Sequence, residues 1–217
     1  MKTLSSIIGM SFLIPSLAFA QTPFAKEPFT DVSVSHSNHE AIEYLRENNV
    51  LRGYLDGTFK PDRRISRAEF VKLITNPFVL DTVRMSECMA TNYKDTSVSI
   101  FPDTPRDAWY INELCHAKDS RLVDGYPDGK FRPNDYINVA EASKILSSAF
   151  RFEIKNEDQG QRWYVPYVNR LGELHAIPTT VTSLSAPLTR GDMAEMLYRL
   201  KANRTNKTFR TSASLKQ

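Results

Sequence analysis

The groups in this sequence with the chemistry for catalysis or metal binding are four histidines, two cysteines and a recurring set of carboxylates. His36, His39, His116 and His175 are scattered, without a nucleophile or carboxylate at a spacing that a hydrolase would use. Glu69, Glu141 and Asp192 each stand three residues after Ser66, Asn138 and Thr189. That is the spacing of a capping box, in which the cap side chain accepts from an early helical N–H and the carboxylate reaches back to the cap N–H. Asp56 and Asp128 lie just before Gly57 and Gly129. They lack the alternating oxygen ligands and distal glutamate of an EF-hand, so calcium is not expected there. Both are expected to brace tight turns through nearby backbone, with Gly53, Gly57, Gly125 and Gly129 supplying positive φ. Cys88 and Cys115 read as a disulfide, and the alternative, a metal site with adjacent His116, lacks a fourth ligand. No catalytic residue, metal or cofactor is expected.

These groups recur because the chain repeats itself. At an offset of 72 residues, Phe29-Thr30-Asp31 falls on Phe101-Pro102-Asp103. The same offset lays Gly53-Tyr54-x-Asp56-Gly57-x-Phe59-x-Pro61 on Gly125-Tyr126-x-Asp128-Gly129-x-Phe131-x-Pro133, with no gap. Ile65, Ala68, Glu69 and Lys72 then fall on Ile137, Ala140, Glu141 and Lys144. A third, more divergent copy sets Trp163-Tyr164 against Trp109-Tyr110, and Leu188-Thr189-Arg190-Gly191-Asp192 against Ile65-Ser66-Arg67-Ala68-Glu69. In it the stretch from Pro178 to Pro187 replaces the glycine loop. Apolar residues at helical spacing, such as Ala41, Ile42 and Leu45, mark a first helix in each copy, and sets such as Phe70, Val71 and Ile74 mark a second. The fold class is therefore mainly α, three helix-loop-helix repeats. A lone pair of this size cannot cover its apolar stripe, so the three must share one core.

The pattern resembles the surface-layer-homology family, whose unit runs Phe-x-Asp, an amphipathic helix, a Gly-Tyr-x-Asp-Gly-x-Phe-x-Pro loop and an Ile-Thr-Arg-Ala-Glu helix start. The first copy has Ser66 for the threonine, and the second has Asn138-Val139 for threonine and arginine. The third keeps Thr189-Arg190 and lacks the loop. The resemblance spans residues 29–201. It implies a pseudo-threefold bundle whose inter-repeat grooves bind an anionic, often pyruvylated, wall or envelope polysaccharide. On that footing Arg67 and Arg190 would hold carboxylates bidentately, helped by unpaired amides at exposed helix N-termini. Trp109 and Trp163 would stack on sugar faces, and Tyr54 and Tyr126 would line the grooves or the core. Val139 leaves at most two complete sites. The implied protein is a non-catalytic cell-surface anchor. The alternative, suggested by Val139 and the eroded third copy, is a structural or protein-interaction envelope protein that has lost polymer binding. Either reading leaves room for other surface-layer proteins as partners.

Residues 1–20 carry Lys2, an apolar stretch from Ile7 to Leu17 and Ala18-Phe19-Ala20, and read as a secretory signal. Export would take the cysteines to a compartment that permits oxidation. The apolar stretch is too short for a membrane span, and no second one follows. The formal charge of +3, which becomes +2 without Lys2, comes with no concentrated basic stripe, so nucleic acid is not an expected partner. The expected layout is a linker over 21–28, repeats over 29–75, 98–150 and 151–201, an insertion with Cys88 over 76–97, and a tail over 202–217. From Lys201 onward, Arg204, Lys207, Arg210 and Lys216 follow without an acid, so the tail reads as a disordered basic arm. On this layout no catalytic domain is expected outside the repeats.

Overall fold

The computed structural model describes residues 27–76, 99–155 and 162–216, together with Val79, Cys88, Met89, Tyr93 and Asp95. The expected signal segment, most of the linker and most of the insertion lie outside the described residues. Among those described run six α-helices: α1 (His39–Glu47), α2 (Arg67–Ile74), α3 (Ile111–Asp119), α4 (Val139–Ala149), α5 (Val165–Glu173) and α6 (Arg190–Lys201). A 3₁₀ turn follows at Ser212–Ser214. Among the described residues extended pairing is limited to isolated bridges, and no helix is long and apolar enough to cross a membrane.

Local chemistry accounts for where the helices begin and end. In α2, α4 and α6 the cap side chains of Ser66, Asn138 and Thr189 accept from the Glu69, Glu141 and Asp192 amides, and those carboxylates accept in return from the cap N–H groups. Each box satisfies donors that a helix start otherwise leaves unpaired. The other five helices, all but α2, stop at a left-handed residue: Asn49, Arg121, Arg151, His175 and Asn203 have φ between 50° and 59°. None is glycine, so each stop carries a backbone cost.

The main packing partners lie in different copies. α2 packs on α3, α4 on α5, and α6 on α1. Each second helix therefore lies against the first helix of the next copy, and the last closes on the first. The helix-loop-helix order is present along the chain, but the packed unit is an inter-copy pair. The reason is the connection: the 19 residues between Glu47 and Arg67 far exceed the short links that join antiparallel neighbours. A closed backbone cycle ties the copies together. Ile65 N–H donates to the Leu188 carbonyl, Leu188 N–H to Ile137, and Ile137 N–H to Ile65, at 3.0, 2.8 and 3.2 Å. All three side chains are buried. One apolar cluster runs through every copy, including Ile42, Phe70, Leu114, Leu146, Val168 and Met193. The Cys88–Cys115 disulfide fastens the insertion to α3.

The tail corrects the expectation of a free arm. Lys207 Nζ pairs with Glu195 and Glu40, each at 3.0 Å. Phe209 stacks on His175 with ring centroids 3.7 Å apart, and Leu215 joins the core cluster. The neutralising acids sit on α1 and α6, where a count of the tail's own charges does not see them.

Candidate functional site

The aspartate of each Phe-x-Asp segment locks a glycine loop. Asp31 accepts from the Phe59 and Lys60 amides, both at 2.7 Å. Asp103 accepts from those of Phe131 and Arg132, at 2.9 and 2.7 Å. Phe29 stacks on Phe59 and Phe101 on Phe131, while Asp56 and Asp128 accept from the Thr58 and Lys130 amides. Gly57, Gly125 and Gly129 have positive φ. Gly53 does not, which corrects the expectation for that residue. It is needed for space, because a Cβ there would lie 2.4 Å from the Phe29 ring and 2.5 Å from the Thr58 carbonyl oxygen.

Onto each loop a different copy lays an arginine. Arg67 Nε donates to the Phe131 carbonyl and Arg190 Nε to the Phe59 carbonyl, both at 2.8 Å. The guanidinium of Arg67 sits 4.5 Å from the Tyr126 ring centroid, and that of Arg190 sits 5.1 Å from Tyr54, within cation–π range. Behind them stand the capping carboxylates of the next copy, Glu141 at 3.7 Å from Arg67 and Glu69 at 3.9 Å from Arg190. Exposed helix starts with unpaired amides were expected, and the structure differs on both counts. Arg67 and Arg190 are 5% and 7% exposed. The Arg67 and Ala68 amides donate to the Asp135 and Pro133 carbonyls, and those of Arg190 and Gly191 to Arg63 and Pro61. The helix starts are stitched into the repeat interface, and burial lowers the pKa of Arg190. The terminal guanidinium nitrogens of both arginines make no hydrogen bond among the described residues.

Both arginines nevertheless reach open clefts. Arg190 floors a first groove of about 450 Å³, with Tyr54, Glu69, Lys72, Trp109 and Glu113 around it. Arg67 floors a second of about 340 Å³, with Asp124, Tyr126, Glu141, Lys144 and Trp163. Trp109 and Trp163 are 57% and 55% exposed, and each stands edge-on to the tyrosine that follows it. The six expected contact residues are thus brought together three to a groove. Lys72 and Lys144 were not assigned to the site from sequence, although their recurrence at the 72-residue offset was a signal for them. Lys72 pairs with Glu113 at 3.0 Å and Lys144 with Asp124 at 2.9 Å. In the second groove the Tyr126 hydroxyl donates to Glu141. Burial first, and then this hydrogen bond, push the Tyr126 phenol up to about 12.

Residues 28–71 and 100–143, which contain both intact loops, match the family described as the S-layer homology domain. These two stretches are S-layer homology domains. A "cell surface protein" of Thermoanaerobacter kivui is 27% identical over 92% of this chain and 25% of its own length. The "cellulosome-anchoring protein" of Acetivibrio thermocellus is 36% identical over 55% of this chain and 25% of its own length. "Cell surface glycoprotein 1" of the same organism is 32% identical over 56% of this chain and 5% of its own length. The chain therefore spans a quarter or less of each of these relatives.

The third copy lies beyond the two matched S-layer homology domains but keeps their helix order and capping box. Val139, fully buried, stands where the other copies carry arginine. The loop it would face is the one that the third copy lacks, so both losses fall on a single interface. There Glu195 takes the position of Lys72, and Lys207 and Thr208 of the tail line the space with Ser37 and Thr180.

Proposed function

We propose that the chain is a non-catalytic cell-surface module that binds an acidic wall or envelope polysaccharide, possessing two working grooves among three copies set about an approximate threefold axis. The observation that carries this reading is the convergence, in each groove, of an arginine whose terminal nitrogens make only long ion pairs, a lysine and an exposed indole wall. A guanidinium fork matches a carboxylate, and an aromatic face offers large, rigid contact area to the apolar face of a sugar. The names of the relatives and the family of the two matched domains support location at the cell surface. The closed backbone cycle supports the threefold arrangement. At the third interface, where both the arginine and the glycine loop are missing, a purely structural role is the better reading.

The test uses Trp109→Ala and Trp163→Ala, because both rings are exposed and their removal leaves the core intact. Cosedimentation with purified sacculi is expected to fall by about tenfold or more in the double variant, as loss of an anchoring aromatic contact typically does. Equal retention of the parent chain on sacculi stripped of acidic polysaccharide would overturn the reading.

A further inference from the structure

We infer that the two grooves are not interchangeable: the first, floored by Arg190, takes the acidic sugar of the polymer, and the second, floored by Arg67, takes an uncharged one. This rests on the polysaccharide reading above and divides the labour within it. The first groove is lined by three cations, Arg52, Lys72 and Arg190, against the two carboxylates of Glu69 and Glu113. The second has two cations, Arg67 and Lys144, against Asp124 and Glu141. One shared position reverses its charge, since Arg52 and Asp124 occupy the same place 72 residues apart, while Glu113 of the first groove has no acidic counterpart in the second.

The reversal is repeated at the rim. Arg63 pairs with Glu69 and lies 5.7 Å from the Tyr54 ring centroid, and its counterpart at the same offset is Asp135. Lys60 and Arg132, also counterparts, are both basic, while Lys130 stands for Thr58 and Tyr136 for Arg64. The consequences are visible in the pairing. In the first groove Glu69 is neutralised by Arg63 and faces Arg190, and Arg52 remains as an additional exposed cation. In the second, Glu141 takes its hydrogen bond from the uncharged Tyr126 hydroxyl, and Lys144 is tied to Asp124. A carboxylate entering the first groove meets a surplus of positive charge. The groove lysine is paired with a carboxylate in both cases, Lys72 with Glu113 and Lys144 with Asp124. But a carboxylate entering the second meets Asp124 where the first offers Arg52, and like charges at close range reject a ligand strongly. A neutral sugar meets no such penalty there and still finds the Trp163 face and the Arg67 donors. Arg52, Arg63, Asp124 and Asp135 are all exposed, so they tune the grooves without holding the fold.

The chain has two tryptophans, one in each groove, so their indole N–H resonances report on the grooves separately. Trp109→Phe and Trp163→Phe assign them. The probes are wall-polysaccharide fragments released from sacculi, either intact or with carboxylates reduced to alcohols, titrated into the full disulfide-bonded chain. Intact fragments should move both resonances. Reduction should weaken the Trp109 response by about tenfold or more and leave that of Trp163 unchanged. Arg52→Asp with Arg63→Asp should reproduce the selective loss with intact fragments, while its amide spectrum stays dispersed as in the parent. Equal weakening at both indoles on reduction, or parent-like binding by that double variant, overturns the division while the polysaccharide reading stands. Silence of both indoles toward both probes overturns the two together.

Discussion

Tyr126 and Gly125, adjacent in one loop, place opposite demands on a single residue site. The Tyr126 phenol is held neutral by burial and by donating to Glu141, with its pKa raised to about 12. An unfolded tyrosine ionises near 10, so the stabilising share of this group is fully present below about pH 10 and is lost as the pH climbs towards 12. Ring-carbon NMR titration should show Tyr126 ionising late, and Glu141→Gln should lower its pKa only in part because burial is the larger cause. Gly125 is constrained twice. Its φ is +80°, and a Cβ would lie 2.6 Å from the Phe101 ring. Gly129 has φ +76° and nothing within 4 Å. Gly129→Ala should therefore cost about 1–2 kcal/mol from the left-handed backbone alone. Gly125→Ala adds about 1–3 kcal/mol of overpacking, and thermal unfolding of the two variants measures the gap.

Among the elements, helix starts and helix stops contribute with opposite sign. The capping boxes at Ser66, Asn138 and Thr189 satisfy donors at starts that the neighbouring copy covers, so Ser66→Ala should lower stability by about 1 kcal/mol. The stops are less well matched. Arg151 follows α4 with φ 54° and is exposed. Arg151→Gly should therefore raise stability by about 0.5–1 kcal/mol, as optimised helix ends commonly do, read as a higher Tm. The boxes were legible in the sequence because a cap and its carboxylate lie within one turn of helix. The stops were not, because left-handed residues such as Arg121 and Arg151 carry no compositional mark.

The whole molecule is closed by contacts between its two ends. α6 packs on α1, and the tail carries Lys207 back to Glu40 and Glu195. Tyr198 donates to Glu40, and that bond, followed by Lys207, holds the Glu40 pKa below its ordinary value. The sign follows from linkage: the contribution is present above the unfolded value and is lost as the pH falls below about 4.3 and through the lowered pKa. Removing residues 203–217 should lower the Tm near neutrality and flatten its fall between pH 6 and pH 3, which a melting series checks. Loss of the Cys88–Cys115 bridge, by contrast, should cost about 3 kcal/mol at any of these pH values.

The repeat period, the helices, the capping boxes and the disulfide partners could all be read from the chain, because each depends on near neighbours or on the chain matched against itself, whereas Arg67, Arg190, Trp109, Trp163, Tyr54 and Tyr126 were singled out only through the family resemblance. Which arginine meets which loop could not. Arg67 and Arg190 reach carbonyls 64 and 131 residues away, and Lys207 finds its acids on α1 and α6. A 19-residue connection leaves the second helix free to join either neighbouring copy. Only the packing of a shared interior selects one, since burying every apolar stripe at once requires the ring to close, and periodicity along a chain says nothing about closure.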